Sequence, residues 1–236
     1  MIKKGIVVQD NTEKNTKCIR CGECCVDSSP TLQASDIPLV DNGFIGKSSL
    51  YTIRKGELVR DPIEKRLIRT ERELIKIKGK SNGRGCIYYE EEENSCLIYD
   101  NRPEQCRAFA CGDTSEFFRI YGEPKASRAE IFRDNILLEL LDQHDEKCGY
   151  YNLEKIVKQI KSSGEKAVHN VLEILKFDYD LRSVMNERLG IDNEEMELFL
   201  GRPLTETIIM FGLKVVKEAD ESFLLTVAEP SSDAPA

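Results

Sequence analysis

The residues of this chain best suited to chemistry are its cysteines. Eight of the nine lie between Cys18 and Cys111, and only Cys148 lies outside that segment. Thiolates suit zinc, copper(I) and iron–sulfur centres. A chain of 236 residues can bury a core without cross-links, and nine is an odd number for a fully paired disulfide framework. The cysteines therefore predict a metal centre rather than a set of disulfides.

The first group of cysteines is a compact loop. Cys18, Cys21 and Cys24 stand at three-residue intervals, and Cys25 follows at once. Gly22 lets the backbone bend without a Cβ clash, so several thiolates can turn toward one centre. The C-x₂-C-x₂-C run is typical of a bacterial ferredoxin loop, although the x₃-C-P continuation of that loop is absent.

The second group is more widely spaced. Its members are Cys86, Cys96, Cys106 and Cys111. Pro103 suits the start of a helical turn, which would put Cys106 near the first turn of a short helix. The helix dipole and the flanking Arg102 and Arg107 would favour a thiolate at Cys106.

The combination of these elements resembles the YkgJ-type cysteine cluster family, also described as a zinc- or iron-chelating domain. The matching elements are Cys18, Cys21, Cys24 and Cys25, then Cys86, the run Cys96-Leu97-Ile98-Tyr99, and the run from Arg102-Pro103 through Cys106-Arg107 to Phe109. The resemblance covers about residues 16–112. It implies metal chelation, often assigned to iron–sulfur. A related cysteine cluster in flagellin lysine N-methylases adds an enzyme hypothesis by analogy.

Three functions follow from this site. Structural zinc usually takes paired C-x₂-C knuckles, which the second group lacks, so the ligand pattern favours an iron–sulfur cluster, 4Fe-4S in particular. Such a protein would serve in electron transfer or as an accessory factor. The alternatives are a zinc-binding structural or interaction module, and a cluster-dependent enzyme such as a protein lysine methyltransferase or an oxidoreductase.

The remaining pattern predicts an α+β protein. An irregular cysteine-rich metal-binding domain with a short antiparallel sheet (residues 1–125) precedes an α-helical domain (126–225) and a disordered tail (226–236). The expected strands and helices follow from side-chain periodicity. The strands are Ile2–Val8, Leu67–Thr70, Leu74–Ile77, and a hairpin of Cys86–Tyr89 with Cys96–Tyr99. The helices begin at a Ser127 capping box and continue over Leu153–Ile160, Val168–Leu175, Leu181–Leu189 and Pro203–Lys217.

Charge and hydropathy limit the partners. A net charge of −8 disfavours nucleic acid and anionic membrane surfaces. No window approaches the ~18 apolar residues of a membrane span, and the apolar stretch Ile6–Val8 is too short for a signal peptide. We expect a cytoplasmic protein, whose helical part is available to a protein partner.

The two histidines add one minor candidate. His144 and Cys148 are four residues apart and could share a helix face as a ligand pair. The charged run from Gln143 to Lys147 instead favours a solvated helix end, in which His144 interacts only with water and the helix dipole.

Overall fold

A long antiparallel ribbon forms the centre of the N-terminal part. β1 (Leu50–Ile53) pairs with β4 (Leu74–Ile77), and β2 (Leu58–Arg60) pairs with β3 (Leu67–Arg69). Between the two pairs the Gly56 amide donates to the Thr70 carbonyl at 2.8 Å, which continues the ribbon. The predicted strands at 67–70 and 74–77 are thus confirmed as its returning arm.

This computed structural model describes residues 18–61, 64, 66–80, 85–109, 113–219 and 222–228. Its short antiparallel strands and many helices confirm the predicted α+β class. The predicted strand Ile2–Val8, the candidate ligand Cys111 and the end of the predicted tail from Glu229 lie outside the described residues.

The N-terminal part also contains several small elements. They are α1 (Glu23–Asp27), α2 (Ile37–Asp41), the hairpin of β5 (Tyr89–Glu90) and β6 (Ser95–Cys96), α3 (Glu104–Ala108) and α4 (Ser115–Tyr121). The predicted hairpin is confirmed with shorter strands, because the chain turns into a 3-10 helix at Tyr99–Asn101 soon after β6. The predicted helical turn after Pro103 is α3.

Helices make up most of the remainder. They are α5 (Arg128–Phe132), α6 (Asn135–Cys148), α7 (Tyr150–Ser163), α8 (Glu165–Leu189), α9 (Asn193–Leu200) and α10 (Leu204–Thr207). The Ser127 capping box is confirmed, since its hydroxyl accepts from the Glu130 amide. Two helices predicted over 168–189 are one, α8, because no Gly or Pro interrupts the chain between them.

The prediction of a helix over Pro203–Lys217 is confirmed for its first part and wrong for its second. The helical conformation ends after α10 and a 3-10 turn at Ile208–Phe211, where Gly212 takes a left-handed φ of 73°. The chain then forms β7 (Leu213–Lys217), which pairs with β8 (Phe223–Val227). The β-branched pair Val215 and Val216 favours this strand over a helix.

Elements from both sides of residue 125 pack together. Leu198 of α9 belongs to the same buried cluster as Leu50 and Ile75 of the ribbon. The Thr52 hydroxyl donates to the Leu198 carbonyl at 2.6 Å. The division of the chain into domains at residue 125 stays a prediction.

Candidate metal centre

The first cysteine loop is shaped by Gly22. Its carbonyl accepts from the Cys25 and Val26 amides, both at 2.9 Å, which starts α1 within the cysteine run. Gly22 has a φ of 81°, and a Cβ built on it would lie 1.9 Å from the Tyr89 hydroxyl oxygen. Only glycine fits a left-handed turn pressed against a neighbouring side chain. The predicted role of Gly22 is confirmed.

A backbone hydrogen bond ties this loop to the second cysteine group. The Cys86 amide donates to the Cys25 carbonyl at 2.7 Å. A Cβ on Gly85, whose φ is 78°, would lie 2.9 Å from that same carbonyl oxygen. Cys96 follows in β6, where it pairs with Tyr89. The two groups, about sixty residues apart in sequence, are therefore neighbours in space.

Cys106 is positioned by contacts that hold α3. The Glu104 amide donates to the Asp36 carboxylate at 2.8 Å, and the side-chain oxygen of Gln105 accepts from the Thr31 amide. Asp36 is fully buried. These contacts fix the short helix against the ribbon, because a five-residue helix has little stability of its own.

All the predicted ligands that the structure describes line one open groove of about 1520 Å³. They are Cys18, Cys21, Cys24, Cys25, Cys86, Cys96 and Cys106. All seven are free thiols, and Cys21 and Cys24 are exposed while Cys86 is buried. Neither histidine is among the residues lining the groove. The donor set is sulfur, which fits a thiophilic metal or an iron–sulfur centre.

Cys24 and Cys25 form a thiol pair. Their Sγ atoms are 4.0 Å apart. A hydrogen bond from Cys25 lowers the pKa of Cys24 to about 6, while the same bond raises the pKa of Cys25. The pair thus behaves as a thiolate that accepts from a neighbouring thiol.

The other thiols disfavour ionisation in each other's presence. Burial, followed by the charges of neighbouring cysteines, raises the pKa of Cys106 well above its usual value. Burial also raises the pKa of Cys86 and of Cys96, and cysteine charges add to both effects. A bound cation reverses this balance, because it stabilises several thiolates together.

The structure corrects the expectation that Cys106 is a stabilised thiolate by itself. Burial outweighs the charge of Arg102, which acts in the predicted direction. Arg107 lies elsewhere, since its guanidinium is 3.8 Å from the Asp36 carboxylate. A lysine that sequence reasoning did not select, Lys76 of β4, lines the groove and interacts electrostatically with Cys86 and Cys106. Only the pairing of β4 reveals its position, so no local motif could have found it.

A second group of ligand-type residues lies away from the groove. The candidate ligand atoms of His144, Cys148 and Asp178 are within 4.8 Å of one another, and all three residues are buried. The prediction of a solvated helix end at His144 is wrong, since its side chain is fully buried. Burial against α8 took precedence over the polar sequence around it.

The charges around this second group disfavour a metal. His144 Nε2 lies 2.7 Å from the Asp178 carboxylate, which also accepts from Arg182 at 3.0 Å. Arg54, itself buried, places a guanidinium nitrogen 3.5 Å from His144 Nδ1. His144 Nδ1 also lies 3.7 Å from the Asp145 carboxylate. Both ring nitrogens therefore already have protein partners, and the two guanidinium groups repel a cation.

The segment that carries both cysteine groups matches a protein-family model. Residues 17–126 match the CxxCxxCC family, described as "Putative zinc- or iron-chelating domain". The match covers 110 of the 236 residues, and its description supports metal binding by this segment. The matched segment spans both cysteine groups and ends just before α5.

Two further comparisons add nothing to this assignment. The chain has no match among curated proteins or among solved structures. Within the part of the chain that the structure describes, no helix has the length and apolar character required to cross a membrane.

Proposed function

We propose that this protein holds an iron–sulfur cluster, most simply of the 4Fe-4S type, through its clustered cysteines, for electron transfer or as an accessory factor. The observation that carries the proposal is that seven thiols from both cysteine groups line one groove. The second group contains no C-x₂-C pair, so the cysteines do not form the two knuckles that are usual for structural zinc.

The cysteines divide into those held by backbone contacts and those on the exposed loop. Cys25 and Cys86 are joined through the hydrogen bond between their backbones, and Cys106 is carried by the anchored helix α3. Cys18, Cys21 and Cys24 present their thiols from the loop around Gly22. When bound, an iron–sulfur centre supplies one-electron transfer at a potential set by its surroundings.

Loading of this site must release protons. A hydrogen bond joins the thiols of Cys24 and Cys25, and its proton leaves when both sulfurs become ligands. Burial raises the pKa of Cys86 and of Cys106, so metal binding must displace protons from these two thiols as well. The protein's own residues therefore make metal binding strongly dependent on pH.

The open side of the groove gives the centre access to a partner. Cys21 and Cys24 are exposed, so the centre lies close to the surface and within reach of a second redox protein. A fully enclosed site would suit a structural ion better than one that exchanges electrons.

Anaerobic purification with iron, zinc and acid-labile sulfide analysis tests the proposal. A brown protein with equal amounts of iron and sulfide, losing its visible absorption on air oxidation, supports it. One or two zinc ions with neither colour nor sulfide would instead establish the zinc-binding module. A Cys148→Ala variant, with its change remote from the groove, should give the same analysis as the native protein.

A further inference from the structure

Three cationic side chains line the cysteine end of the groove, although the chain as a whole carries −8. They are Arg20, Lys76 and Arg102. We call them the cationic collar. None of them pairs with a carboxylate among the described residues, whereas arginines elsewhere, such as Arg128 and Arg182, do.

Two members of the collar meet on one tyrosine. The guanidinium of Arg102 lies 3.7 Å from the centroid of the Tyr99 ring, and that of Arg20 lies 4.0 Å from the same centroid. Arg102 also donates to the Tyr99 carbonyl at 2.7 Å, which fixes its position. Cation–π contacts stabilise each arginine, but two like charges on one ring repel each other. Negative charge nearby offsets that repulsion.

Cysteines that bind a metal as thiolates would supply that negative charge. Arg20 lies between Cys18 and Cys21 in sequence and has a left-handed φ of 59°, an uncommon conformation for a non-glycine residue. The charge of Arg102 favours the ionised forms of Cys24, Cys96 and Cys106. One guanidinium thus acts on thiols from both groups.

Lys76 approaches the cysteines from the ribbon. Side chains of β4 alternate, so Ile75 and Ile77 are buried in the core while Lys76 lies on the groove face. Lys76 also forms an isolated antiparallel β-bridge with Thr31. The Thr31 amide donates to the side chain of Gln105, the residue before Cys106. Burial lowers the pKa of Lys76, and the charges of Cys86 and Cys106 act against that effect. The charge of Lys76 in turn favours the ionised form of Cys86.

We propose that Arg20, Lys76 and Arg102 are positioning residues that offset the negative charge of the thiolate-bound centre and so set its affinity for metal. The inference rests on the proposed function, because it requires a centre held by these cysteines. A divalent metal bound by four thiolates carries a net charge of about −2, and mutation of residues that surround metal ligands typically costs about 10- to 100-fold in metal affinity.

Cobalt(II) binding to the reduced, metal-free full-length protein tests the collar. The sulfur-to-cobalt charge-transfer band reports thiolate ligation, and a chelator competition measures affinity. We expect Lys76→Met to weaken binding about tenfold, because it removes a positive charge from the groove that holds the metal. Lys76→Arg keeps the charge and should restore the native affinity. Lys214→Met, a change on the distant strand β7, is the matched control and should bind as the native protein does.

A second variant keeps the test decisive if Lys76→Met folds poorly. Arg20 is exposed, so Arg20→Gln removes a collar charge without opening the core, and we expect a similar loss of affinity. Unchanged affinity in both variants would overturn the collar, as would an equal loss in Lys214→Met. A native protein that shows no charge-transfer band would refute the proposed function itself, and the collar with it.

Discussion

Two regions of this protein bring together residues of the metal-ligand type, and they differ in almost every other respect. The cysteine groove is open and holds seven described thiols, and the three cations of its collar have no carboxylate partner among the described residues. The buried junction, which consists of His144, Cys148 and Asp178 with Arg54 and Arg182, is closed.

The difference shows that proximity of ligand-type atoms does not define a metal site. In the buried junction the donors of His144 and Asp178 are already used by each other and by arginines. In the groove, burial and the charges of neighbouring cysteines oppose the ionisation of Cys86 and Cys106, and a bound cation would offset both effects. The groove differs from the buried junction because its thiols are not held by arginines or a histidine and because it is open to solvent.

The largest expected effect is loss of metal from the groove. We predict that Cys21→Ala or Cys106→Ala loses most of the bound metal and destabilises the N-terminal part, because metal binding contributes directly to folding. Elemental analysis and thermal unfolding measure both. Cys148→Ala should keep its metal, and full metal content in both groove variants would contradict the ligand assignment.

The next largest effect should be on stability alone. Asp178→Ala leaves His144 and Arg182 buried without their common partner, which costs about 3–5 kcal/mol of unfolding free energy. Urea denaturation measures this loss. We expect metal bound per folded molecule to be unchanged, and its disappearance would show that the buried junction, not the groove, holds the metal.

A single methyl group should perturb the groove. In Gly22→Ala the new Cβ meets the Tyr89 hydroxyl and the backbone keeps a left-handed φ, which together cost about 1–3 kcal/mol. The loop must shift, so chelator competition should show weaker metal binding. Gly164→Ala, at a helix junction where a Cβ meets nothing within 4 Å, tests backbone strain without a clash. Equal metal affinity in the two variants would show that Gly22 does not shape the metal site.

Lowering the pH should release metal from the groove before it unfolds the helices. Burial opposes ionisation of Asp178, but hydrogen bonds from His144 and Arg182 outweigh it and hold its pKa well below the usual range. A depressed pKa stabilises the folded state above the unfolded value, near 3.8, and that contribution is lost as pH falls further. We expect metal release at higher pH than unfolding of the helices, because thiols protonate first. Simultaneous loss of metal and helicity across the titration would be contrary to this order.

Much of the site could be predicted from local sequence. Gly22, the helical turn after Pro103 and the hairpin carrying Cys96 are encoded by neighbouring residues. The meeting of the two cysteine groups was predictable only as a requirement of shared chemistry. The hydrogen bond between the Cys86 amide and the Cys25 carbonyl, which achieves it, has no signature in the sequence.

The failures have a common physical cause. His144 lies in a charged run, and Val215 lies in an apolar stretch with helical spacing, yet tertiary partners decide the outcome at both positions. His144 is buried because Asp178 and Arg54 satisfy its ring. Val215 is in a strand because β8 supplies a pairing edge. Neither partner is near in sequence.

X-ray absorption at the metal edge of the anaerobically purified protein tests the central claim most directly. If the groove holds the metal, the first shell contains sulfur scatterers at about 2.3 Å and no imidazole pattern. A first shell that includes histidine nitrogen or carboxylate oxygen would contradict the account and assign the metal to the buried junction.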